Sequence, residues 1–99
     1  MILTPDRIKQ FRTLGHALKP IVTIAGNGLS ENVLAELERA LSDHELVKVK
    51  LAILERDTRK SVVEDMCKRC NAKLIQEIGK VALIFREAEQ PDPKKSNIR

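Results

Sequence analysis

Apolar residues recur at helical spacing in three stretches of this chain. The first follows Thr4-Pro5, where a hydroxyl N-cap precedes a proline at the first helical position. We expect it to end at Lys19-Pro20, because proline disfavours a helical conformation in the residue before it. The second begins after Ser30, another N-cap residue, and the third runs from about residue 57 or 58 to Cys70. The apolar face of the first helix consists of Ile8, Phe11, Leu14 and Leu18.

Four shorter stretches, 21–24, 46–54, 72–78 and 80–86, have the composition of β-strands. The second alternates Lys48 and Lys50 with valine and leucine, which predicts one buried and one open face. Gly79-Lys80 predicts a hairpin between the last two strands, and the strand–helix–strand order of the first two predicts parallel pairing. The elements together predict an α/β fold of order α-β-α-β-α-β-β, in which helices cover a four-stranded mixed sheet.

Length and composition predict a single compact domain. A chain of 99 residues that is 42% hydrophobic can bury one core, and nothing in it suggests a coiled coil, so we expect a monomer. Residues 1–87 form the predicted domain, and the polar, proline-containing residues 88–99 predict a flexible C-terminal tail. The first residues lack the pattern of a signal peptide, and no apolar run reaches the ~18 residues that cross a bilayer. We therefore expect a cytoplasmic protein without a membrane partner.

The formal net charge of +4 is unevenly distributed. Segment 29–44 is acidic, whereas the flanking segments 1–28 and 45–86 carry a basic excess, which predicts a surface with one cationic side. On the first helix, at about 100° per residue, the basic residues lie within a stripe roughly 80° wide. A solvated polar face is one interpretation, and a surface for a polyanion is the other, since Asp6 is the only acid on this helix. The stripe consists of Lys9, Arg12, His16 and Lys19.

Gly26-Asn27-Gly28 joins the first strand to the second helix, a type of junction that often holds phosphate. It fails as a dinucleotide fingerprint because Glu31 occupies the third glycine position, and no lysine follows as in a P-loop. We therefore expect no cofactor and no small-molecule substrate. The glycines either form a plain connection or let a sugar-phosphate backbone approach exposed amides.

The sequence shows no convincing catalytic or metal-binding set. Cys67 and Cys70 end the third helix, where the helix dipole does not lower a thiol pKa, and no second C-x-x-C completes a zinc site. His44-Glu45 begins like an H-E-x-x-H motif, but Lys48 stands in the place of the second histidine. We expect a non-enzymatic protein with two reduced cysteines and no metal.

The cations and the glycine loop together favour a nucleic acid as the ligand. The only aromatic residues are Phe11 and Phe85, both on apolar faces, so the stacking of single-stranded bases on aromatic platforms is disfavoured. We expect the protein to recognise backbone and shape in a folded RNA.

The runs "LGHALKPIVTIAGNGLSENVLAELERALSDHELVKVK" and "IGKVALIFR" resemble the CRM-domain family of RNA-binding proteins, in particular its bacterial single-domain members of the YhbY type. The resemblance implies a fold similar to the C-terminal domain of translation initiation factor three. It also implies ribosomal RNA and the precursor large ribosomal subunit as partners, in ribosome assembly. The family's GxxG loop falls on residues 25–28, with Ala25 in place of the first glycine, which fits without strain if φ is negative there.

These observations predict one RNA-binding surface. We expect Arg12, His16 and Lys19 to flank the loop, loop amides to reach phosphates, and the lysines of the second strand to extend the patch. Two alternatives stay open: a KH-like binder of short single-stranded RNA, and a protein-interaction module that docks through the acidic second helix. The predicted RNA-binding residues are Lys9, Arg12, His16, Lys19, Ala25, Gly26, Asn27, Gly28, Lys48 and Lys50.

Overall fold

A computed structural model describes all 99 residues and confirms the predicted order of elements. Hydroxyl side chains cap two of the helices as predicted: Thr4 accepts a hydrogen bond from the Arg7 amide, and Ser30 accepts one from the Val33 amide. None of the helices combines the length and the apolar character that crossing a bilayer requires. The helices are α1 (Pro5–His16), α2 (Glu31–His44) and α3 (Arg56–Cys70), and the strands are β1 (Val22–Ile24), β2 (Leu46–Leu51), β3 (Lys73–Ile78) and β4 (Val81–Phe85).

The four strands form one mixed sheet in the order β1-β2-β4-β3. Strands β1 and β2 are parallel and the other two pairs are antiparallel, which confirms the parallel pairing and the hairpin expected from the sequence. Gly79 has a φ of +56° in the two-residue turn of that hairpin, a conformation that glycine adopts without strain. Because β1 and β2 run in the same direction, the loops after both strands lie at one end of the sheet.

The two faces of the sheet are covered unequally. Helices α2 and α3 pack over the larger core, which includes Leu37, Val49 and Met66. Helix α1 covers part of the other face together with Leu3, Leu18 and Ile98, and the Phe11 and Phe85 ring centroids are 4.7 Å apart in this smaller core. Since one short helix cannot cover four strands, part of this face stays uncovered. We call this uncovered part the open face.

Helix α1 lies very close to strand β4. A Cβ atom placed on Gly15 would be 2.5 Å from Leu83 Cδ2, a distance that real side chains do not tolerate. Glycine therefore lets the C-terminal end of α1 rest directly on the sheet. This contact fixes His16, the last residue of the helix, above the edge of the open face.

Two predicted boundaries, the ends of the first helix and of the second strand, are wrong. Helix α1 ends at His16, with Ala17 as C-cap, so Lys19 is not helical. Strand β2 ends at Leu51 because its neighbour β1 ends at Ile24, and Leu54 beyond it is 87% exposed. Helix α3 starts at residue 56, slightly earlier than predicted, and its N-cap residue makes no side-chain capping bond.

The C-terminal segment packs against the junction of α2 and β2. Glu45, fully buried, has a φ of 63° and ends α2. The Arg99 guanidinium donates to this carboxylate at 2.6 Å, and Ser96 Oγ and the Ala88 amide each donate to it at 2.9 Å. Chiefly because of the Arg99 hydrogen bond, the pKa of Glu45 is lowered to about 2. The flexibility of residues 88–99 stays a prediction. In the structure, Ala88, Ser96 and Arg99 of this segment all contact Glu45.

Candidate nucleic-acid interface

The glycine loop is a tight turn over residues 25–28. The Gly28 amide donates to the Ala25 carbonyl at 2.9 Å, which places Gly26 and Asn27 at the centre of the turn. Gly28 has a φ of +78°, so the turn itself favours glycine at this position. Ala25 is not among the residues with positive φ, and alanine therefore fits in place of the family's first glycine without strain. We call residues 25–28 the glycine turn.

Two backbone amides of the glycine turn are free. The N–H groups of Gly26 and Asn27 have no acceptor within the protein, and both residues are exposed. Gly26 does not have a positive φ, and a Cβ atom placed on it would meet nothing within 4 Å. The fold therefore does not require glycine at position 26. Close approach by an external group would explain why a side chain is absent there.

Strand register arranges the side chains on the α1 side of the sheet in two rows, and α1 covers Leu83 in the first of them. Lys48 on β2, Leu83 on β4 and Gln76 on β3 are direct neighbours across the strands. Two residues further along each strand, about 7 Å away, the second row follows, because alternate residues share a face. The second row consists of Thr23, Lys50, Val81 and Ile78.

Several of the predicted cations converge on Lys48. His16 and Lys48 line one groove on the open face, while Lys19 and Lys48 line a smaller hollow beside it. Lys50 continues this line towards the glycine turn, since its partner Thr23 lies two residues before Ala25. The structure thus forms a path of basic residues that leads from the C-terminal end of α1 to the turn.

Arg12 lies apart from the glycine turn, and Lys9 is three residues further from the C-terminal end of α1. Arg12 Nε is 3.5 Å from the Ile75 carbonyl on β3, the strand at the edge of the sheet opposite β1. The turn follows β1, so three strand spacings, about 14 Å, separate the two places. The expectation that Arg12 flanks the loop is therefore wrong. Lys19 precedes β1 whereas the turn follows it, so Lys19 does not flank the turn either.

None of the ten predicted site residues takes part in an ion pair. The ion pairs of this chain lie elsewhere, for example Arg69 with Asp65 on α3 and Arg86 with Glu38. Unpaired lysines that share one face repel one another, and an anionic ligand would relieve that repulsion. The open face therefore has the electrostatic character expected of a surface for a polyanion.

A second basic cluster, which the sequence reasoning missed, lies at the glycine-turn end of the sheet. Arg56, Arg59 and Lys60 surround a hollow of about 440 Å³ together with Glu77 and Gly79. Their spacing on α3, three and four residues apart, places them on one helical face and could have revealed the cluster. Arg59 is partly structural, since it donates to two carbonyls of the loop before α3.

The two cysteines are not activated. Burial is the main cause that raises the pKa of Cys67 to about 11, and burial also raises the pKa of Cys70. Both thiols are therefore protonated near neutral pH and are poor nucleophiles. Nowhere in the chain do three His, Cys, Asp or Glu side chains come together in a way that could hold a metal ion.

Arg86, the last residue of the run IGKVALIFR, has a structural role. Its guanidinium donates to the Glu38 carboxylate at 2.8 Å, the Cys70 carbonyl at 3.0 Å and Ser42 Oγ at 3.1 Å. One side chain thus joins the end of β4 to α2 and to the C-terminal end of α3. Since Glu38 serves this contact, the exposed Glu36 is the cleaner position for testing the acidic face of α2 as a docking surface.

The fold and its surface define a class of protein: a small α/β domain whose mixed sheet is covered fully on one face and partly on the other, with cations on the open face. Comparison with known proteins identifies the family. Residues 3–86 match the model of the CRS1 / YhbY (CRM) domain, and the chain belongs to this family.

Relatives of similar length have names that refer to RNA. The chain is 52% identical over 98 residues to Probable RNA-binding protein PA4753 of Pseudomonas aeruginosa, a match that covers 99% of this chain and 94% of that protein. It is 42% identical over 83 residues to a Haemophilus influenzae protein named RNA-binding protein, covering 83% and 84% of the two chains. The solution structure of SAV1595 from Staphylococcus aureus superposes with a TM-score of 0.78 at 29% identity, covering 90% of this chain and 93% of that one.

Proposed function

We propose that this protein is a non-enzymatic RNA-binding protein that binds structured ribosomal RNA and associates with precursor large ribosomal subunits in the cytoplasm during ribosome assembly. The observation that carries the proposal is the path of unpaired basic residues, Lys48 and Lys50, that leads to the free amides of the glycine turn. The names of the relatives support RNA as the ligand. The ribosomal part rests on the resemblance of residues 14–50 and 78–86 to the single-domain YhbY-type proteins.

The binding mechanism follows from two kinds of donor. Lys48 and Lys50 attract phosphates at long range and release counterions on contact, which makes affinity fall with salt. The amides of Gly26 and Asn27 donate directed hydrogen bonds to a phosphate oxygen that approaches the turn. Because neither kind of contact reads a base, these residues recognise the path of the RNA backbone rather than its sequence.

The shifted pKa values favour a non-enzymatic role. Glu45 is ionised because Arg99 binds it, and the two thiols are protonated because they are buried. Each shift has a structural cause and none lies on the open face, whereas a catalytic centre usually collects such groups in one cleft.

Sedimentation of the endogenous protein in a ribosome gradient tests the ribosomal part of the proposal. At moderate salt the protein should migrate with free or precursor large subunits, and high salt should move it to the top of the gradient, because phosphate contacts are screened. If all of the protein stays at the top even at low salt, the assembly role is refuted. Binding to a hairpin but not to an unstructured oligonucleotide separates this proposal from a KH-like reader of single strands.

Charge-neutralising variants test the surface. Lys48→Gln with Lys50→Gln should weaken RNA binding and lower the slope of log affinity against log salt by roughly 1.4–1.8, since each lost phosphate contact contributes about 0.7–0.9. The control is Lys68→Gln with Lys94→Gln, which removes the same charge from exposed sites on α3 and in the C-terminal segment. The double variant Arg12→Gln with Lys19→Gln, assayed in the same way, shows how much these two residues contribute to RNA affinity and to its salt dependence. Equal losses for the control and the Lys48/Lys50 variant would refute a localised site.

A further inference from the structure

A groove of about 310 Å³ lies on the open face, beside the C-terminal end of α1. Its volume is at the lower end of the range for small-molecule sites, which suits one planar ring system rather than a large ligand. The path of basic residues passes along its rim, because Lys48 belongs to both. The residues that form the groove are chiefly His16, Pro20, Lys48, Gln76, Ile78 and Val81.

The floor of the groove is apolar and has no cover. Val81 lies near the start of β4, which has a strand on either side, yet it is only half-buried. Ile78, its partner on β3, is 64% exposed. Helix α1 ends at His16, so no element of the chain reaches this second row of the open face. Two neighbouring apolar side chains thus form a surface that a flat hydrophobic ring could cover.

Polar groups surround this apolar floor. The Gln76 side chain is half-buried and makes no hydrogen bond, so its amide offers both a donor and an acceptor. The His16 ring forms part of the wall and could stack on an aromatic ligand. Lys48 adds an unpaired cation at the rim. An apolar slot, a free amide and a cation are together the complement of a nucleobase with its phosphate.

Charge argues against a second copy of this chain as the occupant. A symmetric dimer through this groove would bring Lys48 and Lys50 close to the same lysines of the partner. Like charges brought together in this way oppose association. An RNA strand carries the opposite charge and meets the same rim favourably.

We propose that the groove binds one unpaired nucleobase of the RNA, such as a bulged nucleotide. The face of the base lies on Val81 and Ile78, its edge meets the Gln76 amide, and its phosphate lies near Lys48. The inference rests on the proposed RNA-binding function and adds a preference for unpaired bases, for which the backbone contacts of the glycine turn alone do not account.

The test compares two labelled RNA hairpins by fluorescence anisotropy at fixed salt. One hairpin is fully paired, and the other has the same stem with a single bulged nucleotide, prepared in A, C, G and U versions. The natural protein should bind the bulged hairpin about fivefold more tightly, as expected when one base covers roughly 40 Å² of apolar surface on Val81 and Ile78. Ile78→Ser should reduce the ratio of the two affinities to about one, and Gln76→Ala should even out the differences among the four bulged bases.

Leu74→Ser is the matched control. Leu74 lies on the same strand as Ile78 and is also exposed, but it pairs with Ile84 on the opposite face of the sheet. The Leu74→Ser variant should keep the preference for the bulged hairpin. Thermal unfolding of each variant confirms that it folds.

The outcomes separate this inference from the proposed function. Equal binding of both hairpins by the natural protein, or a preference that survives Ile78→Ser, overturns the base site and leaves RNA binding intact. Failure to bind any hairpin overturns the proposed function and the base site with it. A dimer in analytical ultracentrifugation that Ile78→Ser abolishes would identify a second copy as the occupant and would also overturn the base site.

Discussion

Gly26→Ala separates the needs of the fold from the needs of a ligand. The glycine does not have a positive φ, and a methyl group at this position meets no atom within 4 Å. Replacing glycine with alanine at such a site restricts the unfolded chain and stabilises the native state by about 0.4–1 kcal/mol. For a domain of this length, the melting temperature should rise by roughly 2–6 °C.

The same methyl group should weaken RNA binding. It would stand beside the free amides of Gly26 and Asn27, where a phosphate has to approach closely. Loss of one hydrogen bond to a charged acceptor costs about 1.5–3 kcal/mol, which corresponds to a roughly 10- to 150-fold weaker affinity. The variant should therefore be more stable than the natural protein and bind RNA less well.

Two measurements check this expectation: thermal unfolding by circular dichroism and the affinity for the paired hairpin by anisotropy. Ala25→Gly is the matched control, because it removes a methyl group from the same turn. It should lower stability by about 0.4–1 kcal/mol and should not weaken RNA binding. If Gly26→Ala binds RNA as tightly as the natural protein, the amides do not contact phosphate, and the glycine turn is a plain connection between β1 and α2.

Three further predictions concern stability and reactivity. The pKa of Glu45 is lowered from 4.5 to about 2, so its contribution of about 3 kcal/mol is complete above pH 4.5 and is lost as the pH falls towards 2. Urea unfolding across this pH range should show this loss of stability in the natural protein and a much smaller loss in Arg99→Gln. Equal pH dependence of the two proteins would contradict the assignment of the Glu45 shift to Arg99. Arg86→Gln should lower the free energy of unfolding by about 1–2 kcal/mol, because the part-buried Cys70 carbonyl loses its donor and the exposed Glu38 carboxylate loses its ion pair, and an unchanged urea midpoint would show that these contacts are dispensable. Iodoacetamide at pH 8 should label Cys67 and Cys70 only after unfolding, since burial raises both pKa values; rapid labelling of the folded protein would contradict this.

The elements were predictable because their signals are local. Thr4 and Ser30 act as N-caps as the sequence indicated, and the alternation in β2 placed its valines in the core. Boundaries were less predictable because they depend on neighbours. Leu54 has the composition of a strand residue, yet it lies beyond the point where β1 ends and has no strand to pair with.

The arrangement of the candidate site depended on the order of the strands, which no local signal specifies. Lys48 and Lys50 were assigned to one open face correctly, but the distance between Arg12 and the glycine turn follows from β3 and β1 being opposite edges. The burial of Glu45 was missed for a similar reason. Its counterion, Arg99, is 54 residues away along the chain, so only the folded structure brings the pair together.

Strand β2 contributes to the core and to the open face through alternate residues. Val47, Val49 and Leu51 point into the larger core, and Lys48 and Lys50 point to the opposite side. An insertion or deletion of one codon inside this strand would move the lysines into the core and the valines into solvent beyond the change. Relatives should therefore vary in length in the loops around β2 but not within it, and an inserted pair of residues should be less damaging there than a single one.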